Sequence, residues 1–257
     1  MSRRPDPAIA RIRAVHDVSD IGLRHAMEDR HVLEIRPESG LFGGVYDGHG
    51  GVEAAEIAAT SLHQVFFEAL DAGLDPIEAF RQSYRVVEGR LQCTDSGATA
   101  ATIFFRKDQL YFAHVGDAEI LLAGTGPTPL TRPHRVNDPS ERSRIITGGG
   151  QIEGGYVVRG LRGLMPTRSF GDSYFHSIGV MAVPTVGERR LGLDDRFLVV
   201  ACDGLFDVLE GEDIVRVLHG SSGAREGAET LRNEVLARGG TDNLTILVIE
   251  FEPGSTR

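Results

Sequence analysis

The chain has 257 residues, 41% hydrophobic and 25% charged, enough to bury one sizeable core. Asp and Glu outnumber Lys and Arg by 37 to 27, and the resulting net charge of −10 argues against general nucleic-acid binding. No apolar run approaches the ~18 residues that span a bilayer, so no membrane partner is expected. The basic opening segment MSRRPDPAIARIR lacks an apolar signal core, and the cysteines are few (Cys93 and Cys202). Both features fit a reducing, cytoplasmic setting.

In chain order, Arg11–Val18 alternates as a strand does, and strands follow over His31–Ile35 and Leu41–Tyr46. Gly48, Gly50 and Gly51 mark a tight turn. Val52–Leu70 carries helical spacing, and Asp75-Pro76 is a cap followed by proline that opens a second helix to about Leu91. Ser96–Phe105, Gln109–Val115 and Glu119–Ala123 read as a meander. From about Gly124 to Asp195 the chain is rich in glycine and arginine, with one short helix expected near Pro139–Thr147. Long irregular stretches of this kind are usually functional. Arg196–Cys202 reads as a strand, Gly211–His219 and Ala224–Arg238 as helices, Leu244–Phe251 as the closing strand and EPGSTR as a loose tail. This order does not alternate strand with helix. It fits sheets packed on each other with helices outside.

Two apolar runs, LFGGVYDG (Leu41–Gly48) and FLVVACDG (Phe197–Gly204), end on aspartate and glycine. A third, LYFAHVGD, ends on Asp117, and Asp242 immediately precedes the closing strand. Strands bury their length and expose their ends, so Asp47, Asp117, Asp203 and Asp242 can meet at one rim, where a cation would relieve their repulsion. Carboxylate and carbonyl oxygens select Mg²⁺ or Mn²⁺ over Zn²⁺, and no zinc-type His/Cys spacing exists. Lacking Cβ, Gly48 can bring its carbonyl close to an ion. Any single Asp-Gly is more often a plain turn; the pattern gains weight from its repetition after apolar strands. His49 is a candidate general acid, with a surface histidine as the alternative. Glu28-Asp29 would hold metal waters or simply begin a strand with solvated charge. Arg24 offers a phosphate-binding fork or an ordinary surface cation.

Rival phosphate chemistries are missing: there is no GxxxxGK[ST] loop, no C-x5-R, no GxSxG and no DxDx[TV].

Taken in order, RHAMEDR (Arg24–Arg30), VYDGHGG (Val45–Gly51), SGATA (Ser96–Ala100), VGD (Val115–Asp117), TRSFGD (Thr167–Asp172), FLVVACDGLFDVL (Phe197–Leu209) and GGTDNLT (Gly239–Thr245) closely resemble the type 2C, metal-dependent protein serine/threonine phosphatases, the PPM family. The resemblance runs from about Arg13 to Phe251. It implies an α+β fold, a four-layer α/β/β/α sandwich of two antiparallel sheets flanked by helices. It also implies a single catalytic domain over residues 1–257, with a flap at about 133–160.

By the same resemblance, Asp47 bridges two Mn²⁺ or Mg²⁺ ions, Gly48 binds through its carbonyl, and Asp203 and Asp242 are direct ligands. Glu28 and Asp29 act mainly through metal waters. Asp117 and Asp203, with Asp207, form a weaker third site. Arg24 holds the phosphate, His49 protonates the leaving oxygen, and a hydroxide between the ions attacks phosphorus without a phosphoenzyme. Asn243 and Thr245 support the Asp242 loop. The expected partners are phosphoprotein substrates and a cognate Ser/Thr kinase, and a monomer is expected. The alternatives are a pseudophosphatase-type binding module, which should have lost Asp47, Asp203 or Asp242, and a metal-dependent hydrolase of small phosphoesters.

Three departures from the family pattern stand out. Ala118-Glu119 replaces a common Ser-Arg, the usual acid before His134 is replaced in the run Arg132-Pro133-His134, and Phe206 stands where tryptophan is common. The flap arginines Arg132, Arg135, Arg142 and Arg144 either select acidic phosphosites or are solubilising charge.

Overall fold

The computed structural model describes residues 11–36, 38–91 and 94–252. Cys93, the opening decapeptide and most of the expected tail lie outside them. Two five-stranded antiparallel sheets form the centre. In the first, the strand order is Ile12–Asp20, Leu244–Phe251, Phe197–Ala201, Glu119–Ala123 and Pro127–Pro129. In the second it is Thr185–Arg190, Gln109–Val115, Ala100–Arg106, Gly40–Tyr46 and Arg30–Arg36.

Strand periodicity divides the core into its layers. Along Gly40–Tyr46, Leu41 and Val45 face the inter-sheet core, while Phe42 and Tyr46 face helices Glu53–Asp71 and Pro76–Gly89. Along Ala100–Arg106, Ile103 and Phe105 point inward, and Phe104 points to the same helices. On the far side, helices Gly211–Gly220 and Ala224–Ala237 bury Ile214, Leu218 and Leu231 against the first sheet. The result is helices, sheet, sheet, helices, as the resemblance implied. The sheets pack closely at Gly43, where a Cβ would stand 2.8 Å from Leu247 Cδ2.

Local signals account for the helix starts. Asp75 accepts from the backbone N–H groups of Ile77 and Glu78, with Pro76 at the first helical position. Asp138 does the same for Ser140 and Glu141 ahead of helix Pro139–Thr147.

The stretch expected to be irregular holds more order than its composition suggested. Beyond the 139–147 helix it forms a small sheet of Gln151–Glu153, Tyr156–Arg159 and Arg162–Leu164, and then the edge strand Thr185–Arg190. The edge strand is mostly polar and half exposed, so it carries no apolar run.

Phe66 is fully buried, with ring centroids 4.4 Å from Phe80, 5.0 Å from Phe104 and 5.3 Å from Phe42. Phe66→Ala should therefore cost about 3–5 kcal/mol in urea unfolding, because nothing nearby can collapse into the space without breaking the aromatic cluster. A loss below about 1 kcal/mol would show that the helix layer packs loosely.

Candidate metal centre and phosphate cleft

Each expected acid sits where a strand runs out. Asp47 follows Gly40–Tyr46, Asp117 follows Gln109–Val115, Asp203 lies just beyond Phe197–Ala201, and Asp242 lies two residues before Leu244–Phe251. Asp47, Asp117 and Asp203 converge, each offering an oxygen within 4.8 Å of the others. Asp242 and Glu28 line the same cleft of about 660 Å³, with Arg24 and His49. Behind Gly48 a Cβ would lie 2.4 Å from the Glu28 carbonyl oxygen, so only glycine lets this backbone pass.

The electrostatics are those of acids crowded beyond comfort. Burial pushes the Asp47 carboxyl well above the usual range, and Asp203, Asp29, Asp117 and Asp242 add to the shift. Asp203 is raised to about 7, first by burial and then by Asp117, Asp207 and Asp242. Asp29 is raised to about 6 by burial, which outweighs the lowering influence of Thr245 and Cys202. Neither carboxylate oxygen of Asp29 has a hydrogen-bond partner of good geometry, although the residue is only 3% exposed. Hard oxygen donors, mutual repulsion and an orphaned buried carboxylate are what a divalent cation would satisfy, so the residues fit the ions that the resemblance implied.

His49 Nε2 lies 2.7 Å from Asp172 Oδ2. Burial opposes the imidazolium, but the bond and charge of Asp172, with Asp117 and Glu28, outweigh it and raise the histidine above its ordinary value. Ser169 Oγ donates to the same Asp172 oxygen at 2.5 Å. At the cleft mouth Arg24 pairs with Asp242 Oδ2 at 2.5 Å, its side chain 57% exposed. Glu28 Oε1 accepts from the Gly51 N–H at 2.7 Å. Asn243 ties the Arg24–Asp29 loop to the Asp242 turn: its side-chain amide donates to the carbonyls of Ile21 and Ala26, and its Oδ1 accepts from the Glu28 N–H.

Residues 17–244 match the sequence model of the family described as "Protein phosphatase 2C". The chain belongs to the protein phosphatase 2C family. It is 35% identical over 245 residues to "Probable protein phosphatase 2C 11" of Arabidopsis thaliana, covering 90% of this chain and 64% of that relative. It is 30% identical to the human "Integrin-linked kinase-associated serine/threonine phosphatase 2C", covering 90% of this chain and 70% of the other. The fold is similar to that of a serine-threonine phosphatase 2C from Toxoplasma gondii, with a TM-score of 0.82 at 22% identity over 93% of this chain and 94% of that one.

Two residues of this phosphatase 2C centre had no role assigned from sequence. Asp172 stands within TRSFGD, whose place in the resemblance gave it no function. Arg135, one of the arginines expected either to select acidic phosphosites or to be solubilising charge, turns inward to Asp117, Asp203 and Asp207. Arg144 also turns inward, pairing with buried Glu141. The substituted acid Glu119 lies beside this cluster and is raised to about 7, first by burial.

Asp29 and Asp203 bind protons more tightly folded than unfolded, where carboxyls titrate near ~4. Between those values the native state holds the extra protons, so stability rises as pH falls. In chelator-treated protein, the melting temperature should therefore climb as pH drops from about 7.5 to 5, and Asp203→Asn should flatten the climb. A flat profile in the unsubstituted chain would contradict the crowding described here.

Proposed function

We propose that this chain is a metal-dependent protein serine/threonine phosphatase, hydrolysing phosphoserine and phosphothreonine in proteins. The observation that carries the reading is the convergence of Asp47, Asp117 and Asp203, from three separated strand ends, within 4.8 Å. Membership of the protein phosphatase 2C family supports it. The reading takes the catalytic domain as residues 1–257 with a flap at about 133–160, and the protein as a monomer in cytoplasmic signalling. An opposing Ser/Thr kinase is the expected counterpart, in line with the kinase association in the human relative's name.

Asp47, the Gly48 carbonyl, Asp203 and Asp242 would hold two Mn²⁺ or Mg²⁺ ions, with Glu28 and Asp29 acting through water. When bound, the ions supply a polarised water for in-line attack and neutralise charge at the phosphoryl oxygens. Arg24 presents an exposed guanidinium fork at the mouth, suited to two phosphoryl oxygens at once. His49 supplies the proton. With its Nε2–H donated to Asp172, the imidazolium keeps its Nδ1 proton for the departing serine or threonine oxygen. Asp172 thus fixes the ring and sustains its charge, and Ser169 in turn fixes Asp172.

The test is phosphate release from a phosphothreonine peptide with Mn²⁺, repeated with excess chelator. Metal-independent release, or none on any phosphopeptide, would overturn the reading. His49→Ala should lower peptide turnover by about 10²-fold or more and spare p-nitrophenyl phosphate, whose leaving group needs no proton. Equal losses on both substrates would remove His49 from the acid role.

A further inference from the structure

One guanidinium serves three carboxylates beside the Asp47 cluster. Arg135 Nε donates to Asp117 Oδ2 at 2.7 Å, and Nη2 donates to Asp203 Oδ2 at 3.2 Å. Its outer edge grips Asp207 with two bonds, Nη1 to Oδ1 at 3.0 Å and Nη2 to Oδ2 at 3.2 Å. Among the described residues no other Lys or Arg pairs with any of these three acids. They are also the residues that the sequence resemblance gives to a weaker third ion.

We propose that Arg135 is the resident cation of that basin, so that this chain loads two divalent ions and a guanidinium stands in for the third. The inference rests on the metal-centre reading above.

Two observations argue that this is a built arrangement. The first is where the arginine comes from. Its backbone is clamped at the flap root and not carried by the flap's outer strands. The His134 N–H donates to the Gly116 carbonyl at 2.8 Å, and the His134 carbonyl accepts from Thr167 at 2.7 Å. The Arg135 carbonyl accepts from Asp138 at 3.0 Å, and Arg135 forms a β-bridge with Pro166. The imidazole of His134 stacks on buried His114 with centroids 4.3 Å apart and planes within 7°. The guanidinium is therefore delivered from a fixed point.

The second observation is charge. The carboxylates of Asp117, Asp203 and Asp207 all lie within reach of one guanidinium, with Glu119 beside them. Three acids converging on one point need a cation, and Arg135 supplies it. The two occupants exclude each other. A small divalent ion needs its oxygens at about 2.0–2.2 Å, and Asp117 Oδ2 and both oxygens of Asp207 already accept guanidinium N–H bonds.

The test counts ions and needs no turnover. The metal-free chain is titrated with Mn²⁺, and free Mn²⁺ is read by its paramagnetic resonance signal. The native chain should take up about two ions, and Arg135→Gln about three, with the added ion bound at least ~10-fold more tightly than any third ion on the native chain. Arg135→Lys keeps the charge but loses the fork, so it should fall between them and serves as the variant of choice if Arg135→Gln fails to fold. Equal third-ion affinity in the native and Arg135→Gln chains would overturn the inference and leave the two-ion reading intact. No uptake by any chain would overturn both.

Discussion

Like charges do not gather in a protein interior without a reason, and the repulsion among Asp47, Asp117, Asp203 and their neighbours is the constraint around which this molecule is organised. Asp47 and Asp117 follow two strands of one sheet, while Asp203 follows and Asp242 precedes two strands of the other. The sandwich holds these ends together with a continuous apolar core, and the acids cannot drift apart without unpacking it. The fold thus sustains a local electrostatic cost that bound cations or protons relieve. Arg24, paired with Asp242, and Arg135, paired with Asp117, Asp203 and Asp207, meet part of the demand.

A second set of charges fixes the segment around His134 and Glu141. Glu141 is 2% exposed and accepts from Arg144, Arg168 and Thr167, so its oxygens are shared among three donors. Burial works against its charge, but the arginines and Thr167 win and hold the carboxyl below its usual range. Beside it, His114 and His134 are kept neutral, lowered to about 4 and about 3 chiefly by burial. A neutral stacked pair thus lies next to a closed ion cluster, ahead of the small sheet of Gln151–Glu153, Tyr156–Arg159 and Arg162–Leu164.

Sequence reading succeeded where one physical signal dominated. The apolar runs ending on Asp47, Asp117 and Asp203 could be read because a buried strand must be apolar and its end need not be. The starts at Asp75-Pro76 and Asp138-Pro139 could be read because the first turn of a helix favours that pair. Thr185–Arg190 could not be read, since an edge strand is defined by backbone pairing with Gln109–Val115 and its side chains stay polar. Arg135 and Asp172 escaped for another reason. Their meaning lies in partners 18 to 123 residues away, and no local pattern distinguishes an arginine turned inward from one in water.

The four outermost strands have a bearing on how the molecule behaves in a crowded cell. Open strand borders invite a neighbour to add its own strand, the first step towards fibrous aggregates. Here one border is Pro127–Pro129, where prolines remove amide donors, and another is Thr185–Arg190, which closes on Glu188, Arg189 and Arg190. Arg30–Arg36 and Ile12–Asp20 complete the set with Arg30, Glu34, Arg36, Arg13 and Asp17. A stranger's strand laid along any of these rims would strand ionic side chains or find donors missing, so the architecture carries its own guard against self-templated growth.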